Sequence, residues 1–182
     1  MGFFYIIMIV VAIVAFTWSS RISKTIKQSE ENRKQLAESF NFNVKDELNY
    51  QIIGIIESER KFICISGNKS YEIPFNKIIG YEIIKDGVSV SKNSIKGAIV
   101  GGIVGGGIGA LIGSNITAKT KEETKTIDVI LTINDFENPT IKLYFYDSEN
   151  NTLKNIEKYY LPKIEKWESI FKIIIERNKS EL

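Results

Sequence analysis

At 182 residues, with 43% hydrophobic and 25% charged side chains, the chain has the make-up of one medium globular domain plus accessory segments. Its 24 basic and 22 acidic residues nearly cancel and form no basic stripe interleaved with aromatics, which argues against nucleic acid as a partner. Histidine is absent and Cys64 is the single cysteine, which removes Cys/His zinc sites, Ser-His-Asp and Cys-His nucleophiles and internal disulfides, so no metal, cofactor or catalytic residue is expected.

Met1 to Trp18 carries no charged side chain. At about 1.5 Å per residue this run just reaches across a hydrocarbon core of roughly 30 Å, with Tyr5 and Trp18 suited to the two interfaces. A cleaved signal peptide places its basic residues before the apolar run, whereas Arg21, Lys24 and Lys27 follow it. The expectation is an uncleaved anchor over 1–20. By the positive-inside rule it is a single span, N-terminus outside and C-terminal domain cytoplasmic, in the plasma membrane. A lone reduced Cys64 fits that compartment.

Residues 21–43 are polar and helix-compatible, with Ile22, Ile26, Leu36 and Phe40 as sparse apolar points, and they read as a helical stalk. Three uses fit this pattern: a solvated spacer, a short coiled coil with a broken heptad, and contact of Arg21, Lys24 and Lys27 with anionic lipid headgroups. The period then changes from helical to strand-like. Short apolar runs cover 50–56, 61–66, 70–73, 79–84 and 88–90, punctuated by Gly67-Asn68 and by Asp86-Gly87, a hairpin signal.

From Gly97 to Ala118 there is no charge, and Gly97, Gly101, Gly105, Gly109 and Gly113 recur at i, i+4. On a helix this spacing stacks the glycines on one face, where another backbone can approach closely. In a solvated helix each would cost roughly 0.8 to 1 kcal/mol relative to alanine, so packing or a membrane must offset the loss. Beyond it, Ile127, Val129, Leu131 and Ile133, then Ile141, Leu143 and Phe145, alternate with mostly polar residues as half-buried antiparallel strands. Leu153, Ile156, Tyr160, Ile164, Trp167, Phe171 and Ile174 then mark one face of a C-terminal helix over 151–178, which Pro162 must either begin or kink.

About seven strands closed by one amphipathic helix describe an α+β chain: a transmembrane helix and stalk, then a β domain over 44–182. The run Ile78-Ile79-Gly80-Tyr81-Glu82-Ile83-Ile84-Lys85-Asp86-Gly87, a Gly/Ala-rich apolar insert, two alternating strands and a helix resemble bacterial pleckstrin-homology-like (PH-like) domain membrane proteins with a glycine-rich insert. The resemblance spans about residues 50–178. It implies a PH-like antiparallel barrel or sandwich and a binding role, without the short C-terminal oligomerisation helix that some of those proteins carry. Such folds host unrelated functions.

A second crossing by 97–118 would split one sheet between two compartments, and lysines flank both ends, so a helical hairpin or bent helix with its turn at Gly105-Gly106-Gly107 is expected. It packs on itself, meets the membrane, or joins copies of the chain. A phosphate loop is disfavoured, since no strand directly precedes it and no Walker lysine follows. Ser-x-x-Lys at Ser58/Lys61, Ser66/Lys69 and Ser89/Lys92 lacks its companion motifs. The carboxylate pairs Glu30/Glu31, Asp46/Glu47 and Glu122/Glu123 read as solvated charge, and Cys64 reads as a buried hydrophobe. Tyr159, Tyr160 and Trp167 read as helix packing, with a peptide groove as the alternative. The sequence therefore points to a non-enzymatic, membrane-anchored binding or assembly module with lipid, a protein or peptide, or its own copies as partners. A membrane-perturbing, phage-exclusion or toxin-like protein with an oligomerising glycine zipper is the alternative.

Overall fold

The computed structural model describes residues 2–95, 124–150 and 156–181. The first element is one uninterrupted 37-residue helix, α1 (Gly2–Glu38). No glycine or proline falls between Gly2 and Gly54, so nothing in the chain breaks it, and the expected anchor and stalk form a single rod. Among the described residues no helix is long and apolar enough to cross a membrane. The side chains at 1–7, 9, 10, 12 and 20, within the expected span, lie outside the described set.

Four strands follow as an antiparallel meander, in the order of the chain: β1 (Val44–Glu47), β2 (Gln51–Ile56), β3 (Lys61–Ser66) and β4 (Lys69–Pro74). β1 escaped the sequence reading because Val44 is its only apolar residue; only positions 44 and 46 turn inward. β2 and β3 are buried on both faces, which suits their near-continuous isoleucine runs. Ile53, Ile55, Phe62 and Cys64 point into the main core, while Ile52, Ile56, Ile63 and Ile65 form a second cluster under Ala37, Leu36, Phe40 and Phe42. The end of α1 is therefore a packed cover on this sheet, which corrects the picture of a solvated spacer. Gly54 is part of that fit: a Cβ there would fall inside the Phe42 ring.

A 3-10 turn (Phe75–Lys77) leads into the second sheet, formed by β5 (Ile78–Lys85), β6 (Val88–Ser94), β7 (Thr126–Ile133) and β8 (Thr140–Asp147) in the spatial order β6-β5-β7-β8. The Asp86-Gly87 hairpin forms as expected, with φ of 51° and 82°, the two positive values of a type I′ turn. β6 and β7 lie on either side of β5 and run parallel to each other. β6 ends where Ser94 pairs with Gly80, and β7 starts where Ile127 pairs with Lys85. At about 3.3 Å per residue and 4.8 Å per strand, those ends stand about 19 Å apart. Residues 96–123, which join these ends and include the expected hairpin, lie outside the described residues. Asp86 clamps the returning chain: its Oδ1 accepts from Lys125 N at 2.7 Å and Thr126 N at 2.8 Å.

After a short turn of helix, α2 (Ile156–Tyr159), Pro162 starts α3 (Leu161–Ser180) rather than kinking it. Ile164, Trp167, Phe171, Ile174 and Ile175 of α3 fill the space between the sheets against Phe62 and Tyr81. Asn178 Nδ2 donates to Phe75 O (2.7 Å) and Ile78 O (2.9 Å), tying the far end of α3 to the junction of the sheets. At its other end Asp46 Oδ2 accepts from Trp167 Nε1 (2.9 Å) and Lys166 Nζ (2.6 Å). Asp46 is thus a largely buried latch and not the solvated charge its pairing with Glu47 suggested. Gln51 closes a further corner, because its amide bonds the backbone of β8 at Lys142 O (2.8 Å) and Tyr144 N (3.1 Å).

Candidate binding groove

β6 is an edge strand beside α3, and its inward positions carry Ser91 and Asn93 where β5 and β7 carry large apolar side chains. Polar residues at core-facing register positions need partners. Ser91 Oγ donates to Glu168 Oε1 at 2.9 Å, and Tyr81 OH donates to the same oxygen at 3.2 Å. Burial, and then the Glu168 charge, push the Tyr81 phenol well above its ordinary range, so it stays a donor at any physiological pH. Asn93 is buried, and its Oδ1 accepts no hydrogen bond from the described residues. These groups open into a groove of about 400 Å³ rimmed by Lys92, Lys172, Glu176 and Lys179. Lys179 pairs with Glu176 at 2.8 Å and Lys92 lies 3.7 Å from Glu82, so the rim is mixed in sign. The arrangement can hold a polar ligand through hydroxyl, amide and carboxylate groups.

A larger hollow of about 600 Å³ lies at the far end of α3, walled by Ile79, Ser94, Ile95, Thr132, Asn134 and Asn178. Its lining is amide, hydroxyl and aliphatic, with Glu181 its only charged group among the described residues.

The sequence-based candidates fall elsewhere. Gly97, Gly101, Gly105, Gly109 and Gly113 lie outside the described residues, as do Glu122 and Glu123. Arg21, Lys24 and Lys27 are exposed on α1, in a stretch of the helix well before the part packed on the β domain. Lys61 is held by Glu59 (2.9 Å) and Glu72 (3.1 Å), so its Ser58 spacing builds no serine–lysine pair. Glu30 pairs with Lys34 along the helix. Cys64 is buried among apolar side chains that push its thiol up to about 12, which makes it an inert core residue. Trp167 is fully buried and Tyr160 stacks edge-on against Tyr146 at 5.0 Å, so these two pack the helix, whereas Tyr159 is exposed, with Lys158 over its ring. Among the described residues no group of three His, Cys, Asp or Glu is placed to hold a metal. The groove itself was not read from the sequence, although Ser91 and Asn93 at alternate positions of a strand opposite Tyr81 were its visible sign.

Two antiparallel four-stranded sheets closed by a C-terminal helix are the architecture of a PH-like domain. The family of glycine zipper-containing PH domains matches residues 39–147, more than half of the chain, and the chain belongs to it. That stretch holds all eight described strands and the glycine segment, while α1 and α3 lie outside it. No curated protein and no solved structure matches the chain.

Proposed function

We propose that this chain is a non-enzymatic binding and assembly module held at a membrane by the first half of α1, with its PH-like domain on the cytoplasmic side. The observation that carries the reading is the uncharged run Met1–Trp18 at the head of a helix whose Val11, Ile13, Val14, Phe16 and Trp18 are each 55% to 77% exposed. At 100° per residue those five positions, together with Met8 at 64% exposed, surround the helix, so water meets apolar surface on every side and hydrocarbon is the solvent that suits it. Arg21, Lys24 and Lys27 directly after the run favour a cytoplasmic domain and offer headgroup contacts. The i, i+4 glycines support assembly, between copies of the chain or with α1, and the groove between β6 and α3 supports capture of a polar partner.

The test uses the full chain in bacterial cells. Alkaline carbonate should leave it in the membrane pellet. In a Cys64→Val background, a thiol placed at Gly2 should react with an impermeant maleimide from outside, and one at Asn150 should not. Release by carbonate, or labelling at 150 alone, refutes the reading. The second reading, membrane perturbation by the glycine zipper, draws on the fivefold glycine spacing. It predicts dye leakage from cells that disappears on replacing Gly101, Gly105 and Gly109 by leucine.

A further inference from the structure

α1 is treated differently along its length. Its last turns are fastened to the first sheet: Ala37, Leu36 and Phe40 pack on the isoleucines of β2 and β3, and Arg33 Nη1 donates to Tyr50 O at 3.1 Å. Asn32 Nδ2 donates to Asn68 Oδ1 at 3.2 Å, and Asn43, just past the helix, accepts from Glu57 N at 2.7 Å. Followed from 43 back to 32, these contacts pass from the β2–β3 turn to the β1–β2 and β3–β4 turns. The helix therefore leaves the domain past Tyr50 and Asn68. Before Asn32, Ile22 and Ile26 are exposed, and among the described residues no hydrogen bond or ion pair ties that part of the helix to the domain.

We infer that α1 is a rigid standoff that fixes both the height and the orientation of the PH-like domain: the Tyr50 and Asn68 turns face the bilayer, and the β2–β3 turn with the end of α3 faces away. The inference rests on the anchored reading above. From Trp18 to Asn32 the helix rises about 21 Å. That exceeds the roughly 8 Å over which an anionic surface acts at physiological salt, so Lys69 beside Asn68 is out of its reach. Arg21 and Lys24, about 4.5 and 9 Å above Trp18, are near enough for headgroups, and Lys27, about 13.5 Å up, reaches them only by extending its side chain back along the helix. α3 runs the same way as the strands: Lys166 meets Asp46 near the proximal end, and Glu181 meets Arg60 at 2.6 Å on the distal turn. The groove from Glu168 to Lys179 thus runs along this axis from the proximal end outward, all of it beyond the reach of the headgroup field, placed for a soluble partner and not for lipid.

The test reconstitutes the full chain in liposomes whose headgroups carry an energy-transfer acceptor. Donor dyes are placed singly at Asn68→Cys and Glu59→Cys in the Cys64→Val background. Asn68 should read about 20 Å from the headgroup plane and Glu59 about 20 Å further, the length of a six-residue strand. Replacing Glu31 by proline should erase the difference while the protein still floats with the liposomes. Co-flotation with equal transfer from both sites, or with position 59 nearer, overturns the standoff alone. Failure to float overturns the anchor and the standoff together.

Discussion

Replacing Gln51 by leucine tests how the two sheets are joined. The Gln51 amide stands where a neighbouring strand would, accepting from Tyr144 N and donating to Lys142 O on the edge strand β8, and its residue is 4% exposed. Leucine has similar volume and offers neither group. Two net hydrogen bonds are worth about 1 kcal/mol each, and a backbone group left dry costs about 1 to 3 kcal/mol more. Lys142 and Tyr144 present their side chains to solvent, so water recovers part of that penalty. The expected loss is about 2 to 4 kcal/mol. Urea unfolding of the detergent-solubilised full chain, followed by Trp167 fluorescence in a Trp18→Phe background, measures it. Amide exchange at Tyr144 should accelerate at least tenfold while amides of β3 change only with global stability. A loss below about 0.5 kcal/mol, or an unchanged Tyr144 amide, would show that β8 holds its place without the glutamine.

Gly54→Leu should push Phe42 off the first sheet, costing about 1 to 3 kcal/mol and exposing the chain near Phe40 to protease; wild-type cleavage kinetics would sink the idea. Stability should fall in alkali because burial raises the Cys64 thiol to about 12. Its contribution is whole below the unfolded value of about 8.5 and is lost as pH rises toward the folded value, with a slope approaching about 1.4 kcal/mol per pH unit. Cys64→Val should flatten that part of the profile, and an identical profile would refute the assignment. Glu168→Gln removes the charge facing Tyr81, so one tyrosine should titrate lower in a 295 nm pH titration than in the wild type; superposed curves would mean that burial alone sets it.

The strands from β2 to β8 were legible because their apolar runs and alternation sit between strong turn signals such as Asp86-Gly87. β1 was not, because a four-residue strand with one apolar side chain has no periodicity of its own and exists by pairing with β2. The face of α3 was legible at Ile164, Trp167, Phe171 and Ile174, since a helix buries every third or fourth residue whatever lies beneath it. Asp46 was read as a solvated carboxylate, and Glu168 carried no sequence signal at all. Their partners, Trp167 and Lys166 for one, Tyr81 and Ser91 for the other, lie 77 or more positions away in sequence.

Composition and local pattern by themselves determined the absence of histidine chemistry, the uncharged head of α1, the glycine repeat and the PH-like order of strands and helix, because each depends on residues close together in the chain. Tertiary structure alone decided that α1 ends as a cover on the first sheet and that Gln51 and Asp46 lock the corners. It also decided that β6 and β7 flank β5, so the chain leaves the sheet on one side of that strand and returns on the other. Those features are set by contacts between distant segments, whose free energy exists only once the sheets and α3 have closed around one core.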